Sequence, residues 1–258
     1  MNIALLAQQG MTGPIALFEG PKGFKEIFDM DLDYDWEEEN FGLIQKCVLK
    51  RYNAEVHSQS AVDALLQLRS EHSIEPSTIK KIEAVVFLTA YHIIGGGVYG
   101  DRKTVHSKEQ ADHSLFYLLA VAMLDGDVWP EQFEPTRIEK KDVQDLLQKV
   151  EVTTGFPLHE PVMFAGALDP YTRAYPAKMK SKITIQLSDG KSYSKEVEDY
   201  PGFHTRPFDW EQTLLKFKKL SDNIIPLSLQ DEITGVVANI EQHQTNDLTH
   251  LLARCAER

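Results

Sequence analysis

The stretch Lys182-Ile-Thr-Ile-Gln-Leu-Ser-Asp-Gly-Lys-Ser-Tyr193 brings β-structure into a chain whose other patterns are mostly helical. Its first half, Lys182 to Leu187, alternates apolar and polar side chains with the period of two that is typical of a half-buried strand. Asp189-Gly190 supplies the positive φ that a tight hairpin turn requires, and Tyr193–Tyr200 returns as the second strand. We therefore predict a β-hairpin and, with the surrounding helices, the α+β class.

Helical patterns surround this hairpin on both sides. On the N-terminal side of the hairpin, the spacing of apolar residues predicts helices and one further strand. Val150–Thr153 is an extended segment that leads towards the hairpin. The elements predicted there are helix Gln59–Ser70, strand Glu83–Thr89, helix Gln110–Leu124 and helix Lys141–Lys149. On the C-terminal side of the hairpin, apolar residues between Trp210 and Arg258 recur at helical spacing, and no strand pattern occurs there. We expect this last region to be entirely helical.

The first residues of the chain predict another short helix. Ile3, Leu5 and Leu6 give it an apolar face, and Gly10 ends it. No capping residue precedes this face, so we expect it to pack against structure further upstream. The patterns together divide the chain into three predicted parts, which are helical residues 1–45, a mixed α+β part at 46–207 and helical residues 208–258.

The composition excludes several classes of function. The chain has 258 residues, with 27 Lys and Arg against 39 Asp and Glu and a formal charge of -12, so nucleic acids and anionic membranes would be repelled. Cys47 and Cys255 are too few for an iron–sulfur cluster, and no His-x-x-x-His or Cys-x-x-Cys pair offers a zinc site. We expect chemistry without a metal or cofactor. Since no long apolar run exists and Met1–Ala7 lacks a basic segment, we also expect a cytoplasmic protein.

A polar stretch precedes one of the predicted helices. Lys50-Arg-Tyr-Asn-Ala-Glu-Val-His57 places two cations and a histidine near a helix N-terminus, where unpaired N–H groups already favour anions. We predict that Lys50, Arg51 and His57 bind a polyanionic small acid or act on it. The alternative for Arg51 is an ion pair with Glu55 at the protein surface.

Two further pairs of polar residues are candidates for the same site. His113 and Tyr117 are four residues apart on a predicted helix, so they would share one face. The alternative is a packed Tyr117 whose hydroxyl is bonded within the protein. His204 and Arg206 lie in the stretch that joins the hairpin to the last helices, a place suited to a cleft between domains. A solvated linker is the alternative there.

Several segments, taken in chain order, resemble the MmgE/PrpD family, which contains 2-methylcitrate dehydratases and cis-aconitate decarboxylases. The motifs that carry the resemblance are Ala4-Leu-Leu-Ala-Gln-Gln-Gly-Met-Thr-Gly-Pro14, Phe18-Glu-Gly20 with Gly23-Phe24, Lys50–His57 with Ser60-Ala61, Asp112-His-Ser-Leu-Phe-Tyr117, and the Asp189-Gly190 turn. The resemblance implies a helical domain, built from N- and C-terminal segments, around an inserted α+β lid domain that contains the hairpin. Family members are longer, so it also implies that this chain is a C-terminal portion.

The resemblance implies roles for single residues as well. Tyr117 lies where decarboxylases of the family carry an active-site tyrosine, and Lys50 lies where they carry a lysine. His57 matches a histidine of the dehydratases, whereas the decarboxylase histidine falls about two positions earlier, near Glu55. The position of His57 therefore favours dehydration over decarboxylation.

Dehydration of a 2-hydroxy tricarboxylate needs a base for the C–H beside a carboxylate, cations for the developing charge and an acid for the leaving hydroxyl. The residues assigned to proton transfer are His57, Tyr117 and His113, and those assigned to substrate binding are Lys50, Arg51, His204 and Arg206. As partners we expect the tricarboxylate and either a second copy, giving a homodimer, or a separate N-terminal half, without which the chain would have little activity. A non-catalytic oligomerisation or ligand-binding fragment is the remaining alternative.

Overall fold

The computed structural model describes residues 2–29, 47–156 and 169–255. The chain forms two compact units, residues 1–46 and 47–258. In the first unit, helix α1 spans Asn2–Gln8 and helix α2 spans Phe24–Phe28. The helix predicted near the start of the chain is confirmed, and Gly10 follows its end with a φ of 90°.

A four-stranded mixed sheet organises the second unit. Its strands are β1 (Ile79–Val86), β2 (Val150–Thr154), β3 (Ser181–Leu187) and β4 (Ser192–Val197), in the spatial order β2-β1-β3-β4. β1 runs parallel to β2 and antiparallel to β3, and β3 pairs antiparallel with β4. The predicted hairpin is thus confirmed, with Gly190 in its turn at a φ of 90°. Helices together with a mixed sheet are consistent with the predicted α+β class.

Helices of the second unit lie before, between and after the strands. They are α3 (Gln59–Glu71), α4 (Leu88–Ile94), α5 (Lys108–Asp112), α6 (Leu115–Asp125), α7 (Pro135–Ile138), α8 (Lys141–Leu147), α9 (Pro170–Ala174), α10 (Trp210–Ser221), α11 (Leu227–Ala238) and α12 (Thr245–Arg254). Helix α6 forms the centre of the core, because every residue from Leu115 to Met123 is buried. It packs against α3, α8 and β2, and α3 packs in turn against β3 and β4.

The strand predicted at Glu83–Thr89 is wrong at both ends. Strand β1 begins earlier, at Ile79, and ends at Val86, where its pairing with β2 also ends. The following residues form helix α4, and the Thr172 side chain accepts a hydrogen bond from the N–H of Leu88 at 2.9 Å. A short apolar run does not by itself distinguish a buried strand from a buried helix, which explains the error.

The helix predicted at Gln110–Leu124 is in fact two helices. Helix α5 ends at Asp112, and Ser114 caps the start of α6 by accepting a hydrogen bond from the N–H of Tyr117 at 3.1 Å. A serine that satisfies a free N–H in this way favours a new helix start over continuation of the old helix. His113 and Tyr117 therefore do not share one helix face, although their spacing predicts it.

The remaining predicted elements agree with the structure. The helices predicted at Gln59–Ser70 and Lys141–Lys149 are confirmed as α3 and α8, and the extended lead at Val150–Thr153 is confirmed as β2. The described residues from Trp210 onwards form helices and no strand. The three-part division and the lid domain remain predictions. None of the described helices is long and apolar enough to span a bilayer.

Candidate active site

A cavity of about 640 Å³ lies beside the loop that leads into α3. It is lined by Lys50 and Glu55 of this loop, and by Lys108 and His113 from α5 and its C-terminal cap. Ligand cavities in proteins have volumes of about 300–1,000 Å³, so this one has room for a small organic acid. Two of the predicted site residues, Lys50 and His113, therefore meet here.

Polar groups of the loop fold it back on α3. The Gln59 side chain accepts a hydrogen bond from the N–H of Tyr52 at 2.9 Å and donates one to its carbonyl at 3.1 Å. The Tyr52 hydroxyl donates to Asp63 at 2.9 Å, and burial together with the charge of Asp63 raises the pKa of Tyr52 well above its usual value. The N–H of Glu55 donates to the carbonyl of Asp112 at 3.3 Å, which joins the loop to α5. These buried bonds fix one wall of the cavity.

Glu55 holds the imidazole of His57 in a defined orientation. One carboxylate oxygen lies 2.6 Å from ring Nδ1, and the other accepts a hydrogen bond from the backbone N–H of His57 at 2.8 Å. The two side chains are only 12% (His57) and 11% (Glu55) exposed. A neutral imidazole then carries its proton on Nδ1, and Nε2 is left as an acceptor 3.2 Å from the hydroxyl of Tyr175. The result is a carboxylate–histidine–phenol chain, an arrangement suited to proton transfer.

Aromatic rings support the imidazole. Phe87 and Tyr175 stack with their ring centroids 4.5 Å apart and an interplanar angle of 12°. Their centroids lie 5.5 and 5.7 Å, respectively, from that of His57. Tyr175 follows α9, which Thr172 joins to the start of α4 by the hydrogen bond described above. Three segments distant in sequence thus surround one imidazole, and no pattern within a single segment predicts that Phe87 or Tyr175 belongs to the site.

Tyr200 adds a second phenol near Glu55. Its side chain is fully buried, and its hydroxyl has no hydrogen-bond partner among the described residues. Burial, and then the negative charge of Glu55, raise the pKa of Tyr200 to about 12. The hydroxyl is therefore protonated at neutral pH and able to donate a hydrogen bond.

Cations and carboxylates are mixed around the cavity. Lys108 pairs with Asp112 at 3.3 Å, and the same carboxylate contacts the ring of His113. The exposed ammonium group of Lys50 has no hydrogen bond or ion pair with any described residue. Lys50 is therefore available to bind a carboxylate. Within the parts of the chain that the structure describes, no three His, Cys, Asp or Glu side chains are grouped to hold a metal ion.

Tyr117 lies in the core and is not among the residues that line the cavity. Its hydroxyl donates a hydrogen bond to the backbone carbonyl of Gln132, and its ring centroid lies 6.3 Å from that of Phe133. Burial raises the pKa of Tyr117 well above its usual value. This geometry matches the alternative of a packed tyrosine with a bonded hydroxyl, and the predicted shared helix face of His113 and Tyr117 is wrong.

Arg51 lines a different cavity from Lys50. Its guanidinium group forms an ion pair with Asp127 at 2.8 Å and contributes to a second cavity, together with Trp129. The predicted alternative, an ion pair with Glu55, is also wrong, because Glu55 is bonded to His57. Asp127 lies 76 positions away from Arg51 in sequence, so local spacing gives no signal for this pair.

His204 and Arg206 lie in the connection between β4 and α10, outside the set of residues that line the 640 Å³ cavity. Arg206 donates a hydrogen bond at 2.9 Å to Asp63, the same carboxylate that accepts the Tyr52 hydroxyl. His204 is exposed, and its ring centroid lies 4.2 Å from that of Phe203. Arg206 therefore supports the cavity loop indirectly, through Asp63, and the solvated-linker alternative does not describe it.

Known proteins share sequence with much of this chain. Residues 52–159 match the family model described as the MmgE/PrpD C-terminal domain. The 2-methylcitrate dehydratase of Salmonella typhimurium strain LT2 is 26% identical over 259 residues, which cover 97% of this chain and 51% of that protein. The 2-methylcitrate dehydratase of Escherichia coli K12 is 25% identical over 209 residues, or 80% of this chain and 41% of that protein. The cis-aconitate decarboxylase of Mus musculus is 21% identical over 271 residues, which cover 98% of this chain and 51% of that protein.

These matches confirm the family resemblance that the motifs indicate. The matched segment includes most of the cavity loop, α5 and α6. The chain spans about half the length of the curated relatives it matches. Because the relatives are named as dehydratases and as decarboxylases, the matches support a lyase-type enzyme family without selecting one activity.

Proposed function

We propose that this chain carries part of the active site of a cytoplasmic, cofactor-independent hydro-lyase of the 2-methylcitrate dehydratase type. Its substrate is 2-methylcitrate or a related tricarboxylate, its product is the corresponding aconitate, and the reaction belongs to propionate catabolism. The observation that carries the proposal is the Glu55–His57 pair beside a cavity lined by Lys50, Lys108 and His113. The dehydratase relatives support the same reaction class.

Four side chains that line the cavity, and His57, which does not line it but is bonded to Glu55, have roles in this reaction. Lys50 and Lys108 bind substrate carboxylates and stabilise the negative charge that develops when the adjacent C–H is broken. The Glu55–His57 pair takes the proton, and the electron pair of the C–H bond moves towards the carboxylate. The C–O bond then breaks, and His113 gives a proton to the leaving hydroxyl, which departs as water.

The other predicted site residues either lie outside the cavity with a supporting role or have no assigned role in the reaction. Arg206 is a positioning residue, because it reaches the cavity loop through Asp63. Tyr117 stabilises the core, Arg51 belongs to the second cavity, and His204 has no assigned part in the reaction.

Decarboxylation of cis-aconitate is the second candidate function. The observation that favours it is the match to the mouse and human cis-aconitate decarboxylases, which covers 98% and 93% of this chain. The same cations would stabilise the carbanion left after loss of carbon dioxide. The position of His57, which resembles that of the dehydratases, makes dehydration the preferred assignment.

Binding and turnover are tested separately, because the relatives are about twice as long as the matched region. Calorimetric titration with 2-methylcitrate measures the carboxylate site. We expect Lys50→Gln to weaken binding at least about tenfold, the loss of one charge-assisted contact. Lys80→Gln, which removes an exposed lysine on β1, should bind as the wild type does. Equal affinity of Lys50→Gln and wild type would contradict the site.

Proton NMR with each acid distinguishes the two reactions. Formation of the aconitate from 2-methylcitrate supports the dehydratase. Release of carbon dioxide from cis-aconitate without any dehydration of 2-methylcitrate would select the decarboxylase instead.

A further inference from the structure

Both ring nitrogens of His57 have hydrogen-bond partners. Nδ1 lies 2.6 Å from one carboxylate oxygen of Glu55, and Nε2 lies 3.2 Å from the hydroxyl of Tyr175. A carboxylate at Nδ1 places the proton of the neutral ring on that nitrogen, so the Tyr175 hydroxyl is the donor at Nε2. The lone pair that a histidine base would use is therefore occupied by a phenol.

Packing fixes the position of the Tyr175 side chain. Its ring stacks on that of Phe87, and its backbone N–H donates a hydrogen bond to the carbonyl of Thr172 at 3.2 Å. The Thr172 hydroxyl accepts in turn from the N–H of Leu88, the residue that follows Phe87. The two stacked rings are thus joined through their backbones as well. This double connection holds the Tyr175 hydroxyl at Nε2 of His57.

Glu55 is the member of this carboxylate–histidine–phenol chain that lines the 640 Å³ cavity, and neither His57 nor Tyr175 is among the lining residues. Its two oxygens accept hydrogen bonds from Nδ1 and from the backbone N–H of His57. A carboxylate oxygen has two lone-pair sites, so each oxygen keeps one site for a further proton. Glu55 can therefore contact a bound substrate, whereas the imidazole and the phenol lie behind it.

We infer that the Glu55 carboxylate itself takes the proton from the substrate, and that His57 and Tyr175 are positioning residues behind it. This inference rests on the proposed function, because it assigns the base of that reaction. The C–H bond breaks, an O–H bond forms on Glu55, and the electron pair moves towards the adjacent substrate carboxylate. Glu55 later releases this proton to water, and water replaces the proton that His113 gives to the leaving hydroxyl.

The role of the phenol follows from the geometry at Nε2. A hydroxyl that donates to Nε2 favours the neutral ring with its proton on Nδ1, and it prevents the ring from turning. The Nδ1–H group then remains directed at Glu55 and holds the carboxylate towards the cavity. Tyr175 therefore acts on the reaction through His57, without contact with the substrate.

Turnover of 2-methylcitrate by three variants tests the order of these groups. Glu55→Gln removes the base, and we expect kcat to fall by about 10²–10⁴. His57→Asn keeps an amide N–H that can donate to Glu55, so it should remain at least about tenfold more active than Glu55→Gln. Tyr175→Phe should lower kcat by about two- to tenfold, the loss of one hydrogen bond, and leave KM unchanged.

NMR spectra of the free protein test the position of Tyr175 without any turnover. Tyr175→Phe keeps the aromatic ring and removes the hydroxyl, so we expect the ¹⁵N signal of His57 Nε2 to shift. The matched control is Tyr193→Phe, at a tyrosine that stacks on His72 with ring centroids 4.0 Å apart. This control should leave the His57 signals and the turnover as they are in the wild type.

Two results would overturn the inference. If His57→Asn is as inactive as Glu55→Gln while both keep the wild-type melting temperature, His57 is the base. If the Nε2 signal is unchanged in Tyr175→Phe, the phenol does not hold the imidazole. A wild type that converts neither 2-methylcitrate nor cis-aconitate would instead refute the proposed function, and with it the role of Glu55 as base, whereas the NMR comparison would still decide whether Tyr175 positions His57.

Discussion

Both carboxylate oxygens of Glu55 are bonded to His57, one to the imidazole at 2.6 Å and one to the backbone N–H at 2.8 Å. Glu55 also lines the cavity that Lys50 and His113 share. His57 itself does not line this cavity, so the Glu55 carboxylate is what connects the imidazole to it. An effect of Glu55 on the reaction must then be visible in the ring of His57.

Replacing Glu55 with Gln should change the tautomer of His57. A glutamine oxygen can accept from only one of the two N–H groups in this geometry and carries no charge, so the Nδ1-protonated form loses its advantage. We expect ring ¹⁵N shifts in NMR spectra to move towards a tautomer mixture, and the free energy of unfolding to fall by about 1 kcal/mol. The control is Glu109→Gln, an exposed residue on α5. Unchanged ring ¹⁵N shifts in Glu55→Gln would show that Glu55 does not set the tautomer.

Tyr117→Phe should affect stability and leave carboxylate binding intact. The substitution removes the hydroxyl that donates to the Gln132 carbonyl in the core, so we expect the free energy of unfolding to fall by about 1 kcal/mol. In a unit of this size, that corresponds to a melting temperature lower by roughly 2–4 °C. Tyr99→Phe, at a tyrosine that is 66% exposed, should melt as the wild type does. Loss of 2-methylcitrate binding without loss of stability would return Tyr117 to the active site.

We expect Arg137 to stabilise the folded protein at neutral pH and to lose this effect at acidic pH. Arg137 donates two hydrogen bonds to Asp125, at 2.8 and 2.9 Å, and one to Asp142 at 2.9 Å. Burial alone would raise the pKa of Asp125, but the hydrogen bonds from Arg137 and Gln132, together with the charge of Arg137, outweigh burial and hold that pKa below its usual 3.8. A carboxyl with a lowered folded-state pKa stabilises the protein above its unfolded pKa, and this contribution is lost as the pH falls through the folded pKa.

Urea unfolding of Arg137→Met at several pH values measures this contribution. At neutral pH we expect the variant to be less stable by about 1.5–3 kcal/mol, the usual range for hydrogen bonds to charged groups. The difference from the wild type should shrink as the pH falls below about 4, because Asp125 becomes protonated in both states. A difference that is the same at neutral and at strongly acidic pH would contradict the assigned pairing.

The fold could be predicted best where local patterns and tertiary packing agree. The hairpin followed from alternation and from Asp189-Gly190, and α3 followed from helical spacing. Prediction failed where a single hydrogen bond from a side chain, distant in one case and local in the other, decided where a helix begins. Thr172 bonds to the first N–H of α4, and Ser114 starts α6 where helical spacing alone predicts continuation.

The candidate site could be predicted only in part, for a similar reason. Lys50 and His113 carry a chemical signal in their residue types, and the cavity brings them together. Tyr175 and Asp127 carry none, because their partners His57 and Arg51 lie 118 and 76 positions away in sequence. Tyr117 gave a misleading signal, since its spacing from His113 is helical while the helix is interrupted at His113 and Ser114.

Two glycines provide a test of how much the hairpin turn depends on backbone conformation. Gly190 has a φ of 90°, and a Cβ built there would meet no atom within 4 Å. The cost of Gly190→Ala is then the backbone term alone, so we expect the free energy of unfolding to fall by about 1–2 kcal/mol. Gly235 on α11 also has open space for a Cβ but lacks a positive φ. Gly235→Ala should therefore raise the free energy of unfolding by about 0.5–1 kcal/mol. Chemical denaturation of both variants tests this prediction. Equal changes of the same sign in the free energy of unfolding would mean that the turn does not require a positive φ at Gly190.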